Sequence, residues 1–267
     1  MDQRAYNFDV PERVVQIGCT LEFVFILTET GGIYVFCLKE KKFYSLSPSD
    51  CIWTVTNVLI SIFQLQSESD FESCMNIMTL TCLSSEIKMF SLVCTMHAAY
   101  LLKNDLESKT SSIQRIYDSR HPDKDEIISM NILITKIAAG NDHILLLDEI
   151  GSVHAFGSGN HGELGCGSLE FEKKPKTIEF FRENNIKVVD ISAGSWHSAA
   201  VTNTGDCYTW GWNRNGALGL DSEEINIQLY PFPIETNSDI RVVSVCCHST
   251  LTILKFENGE SLKFGCQ

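Results

Sequence analysis

Short apolar runs alternate with polar or glycine-marked turns along most of the chain. Residues 188–193 form a β-branched run that Gly194 and Ser195 close. Residues 196–202 form a second run, and Asn203-Thr204-Gly205-Asp206 is a polar turn with glycine where a positive φ is needed. Residues 207–210 are a third run, residues 212–216 a second loop, and Leu218 opens a fourth extended segment toward Pro231. Apolar positions do not recur three and four apart, so strands joined by turns fit better than helices.

This rhythm recurs at a constant spacing. Residues 136–165 and 190–219 align without a gap when shifted by 54, with nine identities in 30 positions. Six of the nine are the glycines 140/194, 151/205, 157/211, 162/216 and 165/219 and the histidine 143/197. Those residue types carry backbone or hydrogen-bonding duties, so their concentration marks a structural repeat. A third copy, residues 242–265, keeps Gly259 and Gly265 in register, with Phe264 in place of Trp210 and Leu251 in place of His197. A fourth, residues 14–37, matches residues 188–211 at seven positions. Residues 51–102 are expected to hold a further decayed copy around a Ser84-Ser85-Glu86 turn. The charged, Ser-rich residues 104–126 read as a surface loop.

Four strands per repeat, with repeats that need one another to bury both faces, predict an all-β protein: a single β-propeller over residues 1–267. In an up-and-down blade the first and third loops share one face of the disc. Ser195 and Trp196 should therefore lie with Trp212, Asn213 and Arg214. By the same shift, Asn141 and Asp142 should lie with Ser158, Asn160 and His161. Trp210 aligns with Phe36, Phe156 and Phe264 and is a core position. Trp196 and Trp212 align with Asp142 and Ser158, so the fold does not require them. Their places suit an exposed binding face or burial between adjacent blades.

The segments "AGSWHSAAVTNTGDCYTWGWNRNGALG" and "AGNDHILLLDEIGSVHAFGSGNHGELG" resemble the repeat of the regulator of chromosome condensation family. The resemblance implies a propeller whose usual blade number is seven. Here 267 residues at a spacing of 54 give about five modules, so a ring of five or six blades, or an incomplete one, is expected. The copy ending at Gly265 lacks a fourth strand unless residues 4–13 supply it. The resemblance also implies a non-enzymatic scaffold whose protein partner is a JmjC-domain oxygenase or a histone-associated, chromatin-linked complex, in the nucleus or cytoplasm. The alternative it offers is guanine nucleotide exchange on a Ran-type small GTPase.

Charge and cysteine content narrow the classes further. The chain has 21 Lys and Arg against 34 Asp and Glu, a net charge of -13. That disfavours direct nucleic-acid or anionic-membrane binding and suggests a basic partner surface. The 11 cysteines include no CxxC pair, no secretory signal opens the sequence and no apolar run reaches 18 residues, so an intracellular location is expected. Gly157, Gly159 and Gly162 spell a nucleotide-loop pattern, but a strand follows where that motif needs a helix. His154 and His161 match no zinc spacing. Cys247-His248 sits in a strand, where packing explains it better than nucleophilic chemistry. No catalytic, cofactor or metal residues are assigned. The partner-binding candidates are Asn141, Asp142, Asn160, His161, Ser195, Trp196, Trp212, Asn213 and Arg214.

Overall fold

The computed structural model describes residues 6–9, 13–20, 23–28, 33–37, 42–46, 57–60, 82–83, 88–118, 126–221, 223–236 and 239–266. Within each sheet neighbouring strands are antiparallel. One sheet runs β2 (Val14–Cys19), β3 (Phe23–Thr28), β4 (Ile33–Cys37) and β5 (Lys42–Leu46). The next runs β7 (Cys82–Leu83), β8 (Lys88–Cys94), β9 (Ala98–Asp105), β10 (Thr110–Asp118) and β11 (Glu126–Met130). Two regular four-stranded sheets follow: β12 (Ile134–Ala139) to β15 (Glu172–Thr177), and β16 (Val188–Ala193) to β19 (Ile227–Pro233). The last sheet contains β20 (Val242–His248), β21 (Leu251–Phe256) and β22 (Ser261–Gly265).

The first long strands of neighbouring sheets pack on one another: β2 on β8, β8 on β12, β12 on β16 and β16 on β20. Polar side chains tie this inner row together. The Gln16 amide both donates to the Leu92 carbonyl (2.5 Å) and accepts from the Leu92 N–H (2.6 Å). Asp190 accepts from Lys136 on one side (2.5 Å) and from the Val245 N–H on the other (3.0 Å). Each of β2, β12, β16 and β20 also carries the same irregularity after its first paired residue, at Val14/Gln16, Ile134/Lys136, Val188/Asp190 and Val242/Ser244. An incomplete propeller built of equivalent blades accounts for both features.

The core lies between blades. One cluster joins Leu145, Leu147 and Val153 of one blade to Val188, Ile191, Ala200 and Trp210 of the next. A short helix, Glu179–Glu183, leads from β15 to β16 and inserts Phe181 into that cluster, edge-on to Trp210 at 5.9 Å. The same arrangement recurs on either side.

Two expectations from the sequence are corrected. Of the stretch 104–126, the described residues 104–118 and 126 are not a surface loop but mostly strand. Within it β10 pairs with both β9 and β11, and Asn104, Ser111 and Ile113 are buried. Its polar letters misled because they are paired inside. The Asn104 amide donates to the Ile134 carbonyl (2.7 Å), and Ser111 donates to Asn104 (2.7 Å) while accepting from the Ile134 N–H (2.8 Å). Nor do the described residues of 4–13 complete the last sheet: β1 (Tyr6–Asp9) pairs instead with β6 (Asn57–Ile60), and among the described residues β22 has a partner on one side only. The Ser84-Ser85-Glu86 turn lies outside the described residues.

Gly211 shows what the repeated glycines do. Its φ is +104°, matching +105° at Gly157, and a Cβ there would stand 2.6 Å from the Trp196 carbonyl oxygen. Gly211→Ala is therefore expected to lower stability by about 1–2 kcal/mol or more, read as a drop in the urea midpoint with unchanged m-value. Gly259→Ala should cost less, because nothing stands near its Cβ position.

Candidate functional site

In the two regular four-stranded blades β12–β15 and β16–β19 the third loop folds back beside the first. The Ser158 N–H donates to the Asp142 carbonyl and the Trp212 N–H to the Trp196 carbonyl, each at 2.8 Å. These bonds bring the two loops of each blade onto one face.

Three of the nine candidate residues are enclosed there. Asn141, Ser195 and Asn213 are buried, so their work is internal. The Met96 N–H donates to the Asn141 carbonyl, the Asn141 N–H to the Ser195 carbonyl and the Ser195 N–H to the Ser249 carbonyl, a backbone chain running from blade to blade. Asn213 organises its own loop. Its amide donates to the carbonyls of Leu220 (3.1 Å) and Ile225 (2.9 Å), and its oxygen accepts the Leu218 N–H (3.0 Å). Asp142 is half-buried and Asn160 is exposed at the tip of the neighbouring loop.

The remaining four form one cluster across two blades. The His161 ring stacks on Trp212 at 4.7 Å and 14° and lies 5.9 Å from Trp196. The two indoles meet edge to face at 5.5 Å. Arg214 places its guanidinium carbon 5.2 Å from the Trp212 ring centre and 5.7 Å from that of Trp196, within cation–π range. The Trp212 indole N–H is fixed by Asn226 (3.0 Å). Beneath the rings lies Glu163, whose carboxylate accepts the His161 backbone N–H at 2.6 Å. Burial pushes the Glu163 carboxyl up to about 7 and holds the His161 imidazole below its ordinary value, so His161 is neutral at pH 7. Trp196 and Trp212 are thus half-buried against each other and still reach the surface.

His143 and His197 sit apart from this cluster and clamp blades together. His143 Nε2 meets the Ser198 hydroxyl of the next blade (3.0 Å), and Ser198 donates to the Glu163 carbonyl (2.8 Å). His197 Nε2 meets the Thr252 hydroxyl (2.9 Å), and Thr252 donates to the Ala217 carbonyl (2.7 Å). Each hydroxyl gives its proton to a carbonyl, so each imidazole must donate from Nε2, and burial, which lowers His143 to about 3 and His197 to about 4, keeps both rings neutral. The histidines thus reach the loop backbone through a hydroxyl.

Cys247 and His248 do not meet. Neighbouring strand residues point to opposite faces. Cys247 is therefore buried against Thr252, and it is Cys246 that meets His248, Sγ to Nε2 at 3.5 Å. Burial raises both thiols, Cys247 to about 12. Among the described residues no group of three or more His, Cys, Asp or Glu is placed to hold a metal ion, and no helix is long and apolar enough to cross a membrane.

The recurring clamp and the paired loops fall where the regulator of chromosome condensation (RCC1) repeat pattern matches, residues 151–201 and 204–254 in one description of the repeat and 134–163 and 188–217 in another. The chain carries RCC1 repeats. It is 41% identical over 90 residues to human RCC1 domain-containing protein 1, a match covering 34% of this chain and 23% of that protein. Among solved structures, human WBSCR16 superposes with a TM-score of 0.64 at 14% identity over 97% of this chain and 63% of that one. Prp20p from Saccharomyces cerevisiae, described with its binding to Gsp1p and histones, superposes with a TM-score of 0.57 at 19% identity, covering 97% of this chain and 57% of that one. These likenesses establish an RCC1-type propeller fold, and the chain spans about a quarter of the curated relative it matches. Sequence reasoning missed Glu163, because its alignment partner is Ala217 and the repeat gives no signal there.

Proposed function

We propose that the chain is a non-enzymatic interaction module whose partner docks on the face carrying Trp196, Trp212, His161 and Arg214. The observation that carries this reading is the cluster itself. Two indoles, an imidazole and a guanidinium are held together on three loops of two blades, at positions the repeat does not require. Interface hot spots are rich in Trp and Arg, and loops fixed by blade hydrogen bonds lose little ordering entropy on docking. The finer reading, in which the partner is a JmjC-domain oxygenase or a chromatin-linked complex, rests on the sequence resemblance.

The test is quantitative affinity purification with wild type and a Trp196→Ala/Trp212→Ala double variant shown to be folded by its melting transition. At least tenfold lower enrichment of specific partners is expected, since each large anchor contributes about 1–2 kcal/mol or more. Equal enrichment by both proteins would remove this face from the interface. The second reading, nucleotide exchange on a Ran-type GTPase, is supported by the fold shared with Prp20p, described with its binding to Gsp1p. Stimulated release of a mant-nucleotide from such a GTPase would place exchange ahead of scaffolding.

A further inference from the structure

The electrostatics of the cluster run against those of the chain. With 34 carboxylates to 21 cationic side chains, a surface arginine has many anions available as partners. Arg214 has none. Among the described residues its guanidinium makes no hydrogen bond and no ion pair, and it lies over the two indole faces. The nearby loop carries Asp221, Glu223 and Glu224, yet the Asp221 carboxylate accepts the Glu223 N–H and none of the three pairs with Arg214. A long, exposed side chain is therefore held in one place by two rings while its N–H donors remain unused.

A second unused donor lies beside it. The Trp212 indole N–H is bonded to Asn226, but the Trp196 indole N–H has no partner among the described residues and is not enclosed. Around these donors the available surface is the apolar rim of the two indoles. The flanking side chains bring no further cation, since His161 is neutral and half-buried.

We propose that this site receives a carboxylate of an acidic–apolar peptide segment in a partner protein. This deepens the docking reading above and rests on it. The guanidinium takes the carboxylate through two parallel hydrogen bonds, the Trp196 N–H supplies a third donor, and the apolar residue beside the acid lies on the indole rims. A carboxylate fits better than a nucleic-acid backbone, because one guanidinium in a chain of net charge -13 cannot offset the repulsion of a polyanion. The overall acidity had suggested a basic partner; the local donors select the opposite charge at this point.

Fluorescence anisotropy on the full chain tests this, with short fluorescein-labelled Ser-rich peptides carrying one central Asp-Leu, Lys-Leu or Ser-Leu pair, and with labelled oligothymidylate. The Asp/Leu peptide should bind wild type most tightly. Arg214→Ala should weaken it about tenfold or more, and Arg214→Lys should recover only part of the loss. Arg214→Glu should prefer the Lys/Leu peptide. All three variants should melt close to wild type, as the side chain is exposed and makes no hydrogen bond or ion pair among the described residues. Absence of Asp/Leu binding, equal binding of the Ser/Leu or Lys/Leu peptide, tighter binding of oligothymidylate, or an unaltered Arg214→Ala would each overturn the proposal. If the double tryptophan variant loses its partners while the peptide arm fails, the docking face stands and its assigned charge preference falls.

Discussion

Trp210→Ala is expected to lower unfolding stability by about 3–5 kcal/mol, the range for removing a large buried aromatic. The ring is fully buried in the cluster between two blades and touches Phe181 edge-on. Its Nε1 donates to the Glu163 carbonyl at 2.9 Å, the same oxygen that holds Ser198 and, through it, His143. Its indole also packs over Gly165, where a Cβ would stand 2.7 Å from Nε1. One truncation thus opens a cavity and loosens the inter-blade clamp. The urea midpoint should fall by an amount that m converts to this range. Trp210→Phe should recover most of the loss, because Phe156 and Phe264 fill the equivalent place in neighbouring blades. It should remain about 1 kcal/mol short for the lost hydrogen bond. Trp196→Ala, half-buried on the face, should cost much less. Equal losses at Trp210 and Trp196 would contradict the assignment of one to the core and the other to docking.

That contrast explains how far the sequence could be read. Gly157, Gly211, His143 and His197 were legible because backbone geometry and a clamp leave few substitutes, so identical letters recur at a fixed spacing. The clamp's other half was harder to see. Ile144, Ser198 and Thr252 occupy one register position and share no letter. Their logic appears once the blades are in place. Ser198 and Thr252 face a histidine from the preceding blade, and Ile144 follows a blade with Ala98 at that position. The stretch 104–126 failed for a related reason. Asn104 and Ser111 look like loop residues by composition, yet their partner is the Ile134 backbone, 30 positions from Asn104, which no local pattern reveals. On the candidate face, alignment located the loops but could not tell an inward side chain from an outward one. Asn141, Ser195 and Asn213 were therefore grouped with residues that reach the surface.

Acid should open the clamp in a pH window set by three buried groups. Burial lowers the His143 imidazole to about 3 and His197 to about 4, from 6.5 when unfolded. His143 Nδ1 is enclosed without a partner, so a proton there would create a charge that nothing accepts. A group whose native value is depressed stabilises the fold above its unfolded value, and that stability drains as pH falls below 6.5. Glu163 acts in the opposite sense. Its native value of about 7 lies above 4.5, so the native carboxyl holds a proton over that interval and the fold gains as pH drops through it. Counting these three groups, between pH 6.5 and 4.5 the unfolded state binds two imidazole protons and the native state one carboxyl proton. Stability therefore falls by a net one proton per pH unit, about 1.4 kcal/mol. Below 4.5 the carboxyl no longer compensates and the slope doubles until His197 titrates. Asp148, held below its ordinary value by its bond to His154 against the opposing effect of burial, then adds to the loss. Urea midpoints measured across pH 7 to 4 should follow this curve. Glu163→Gln should double the slope between 6.5 and 4.5, and His143→Gln, which retains an N–H donor for Ser198, should nearly abolish it. A His143→Gln profile parallel to wild type would mean that His143 carries a proton in the native state, and the neutral Nε2–H clamp would have to be discarded.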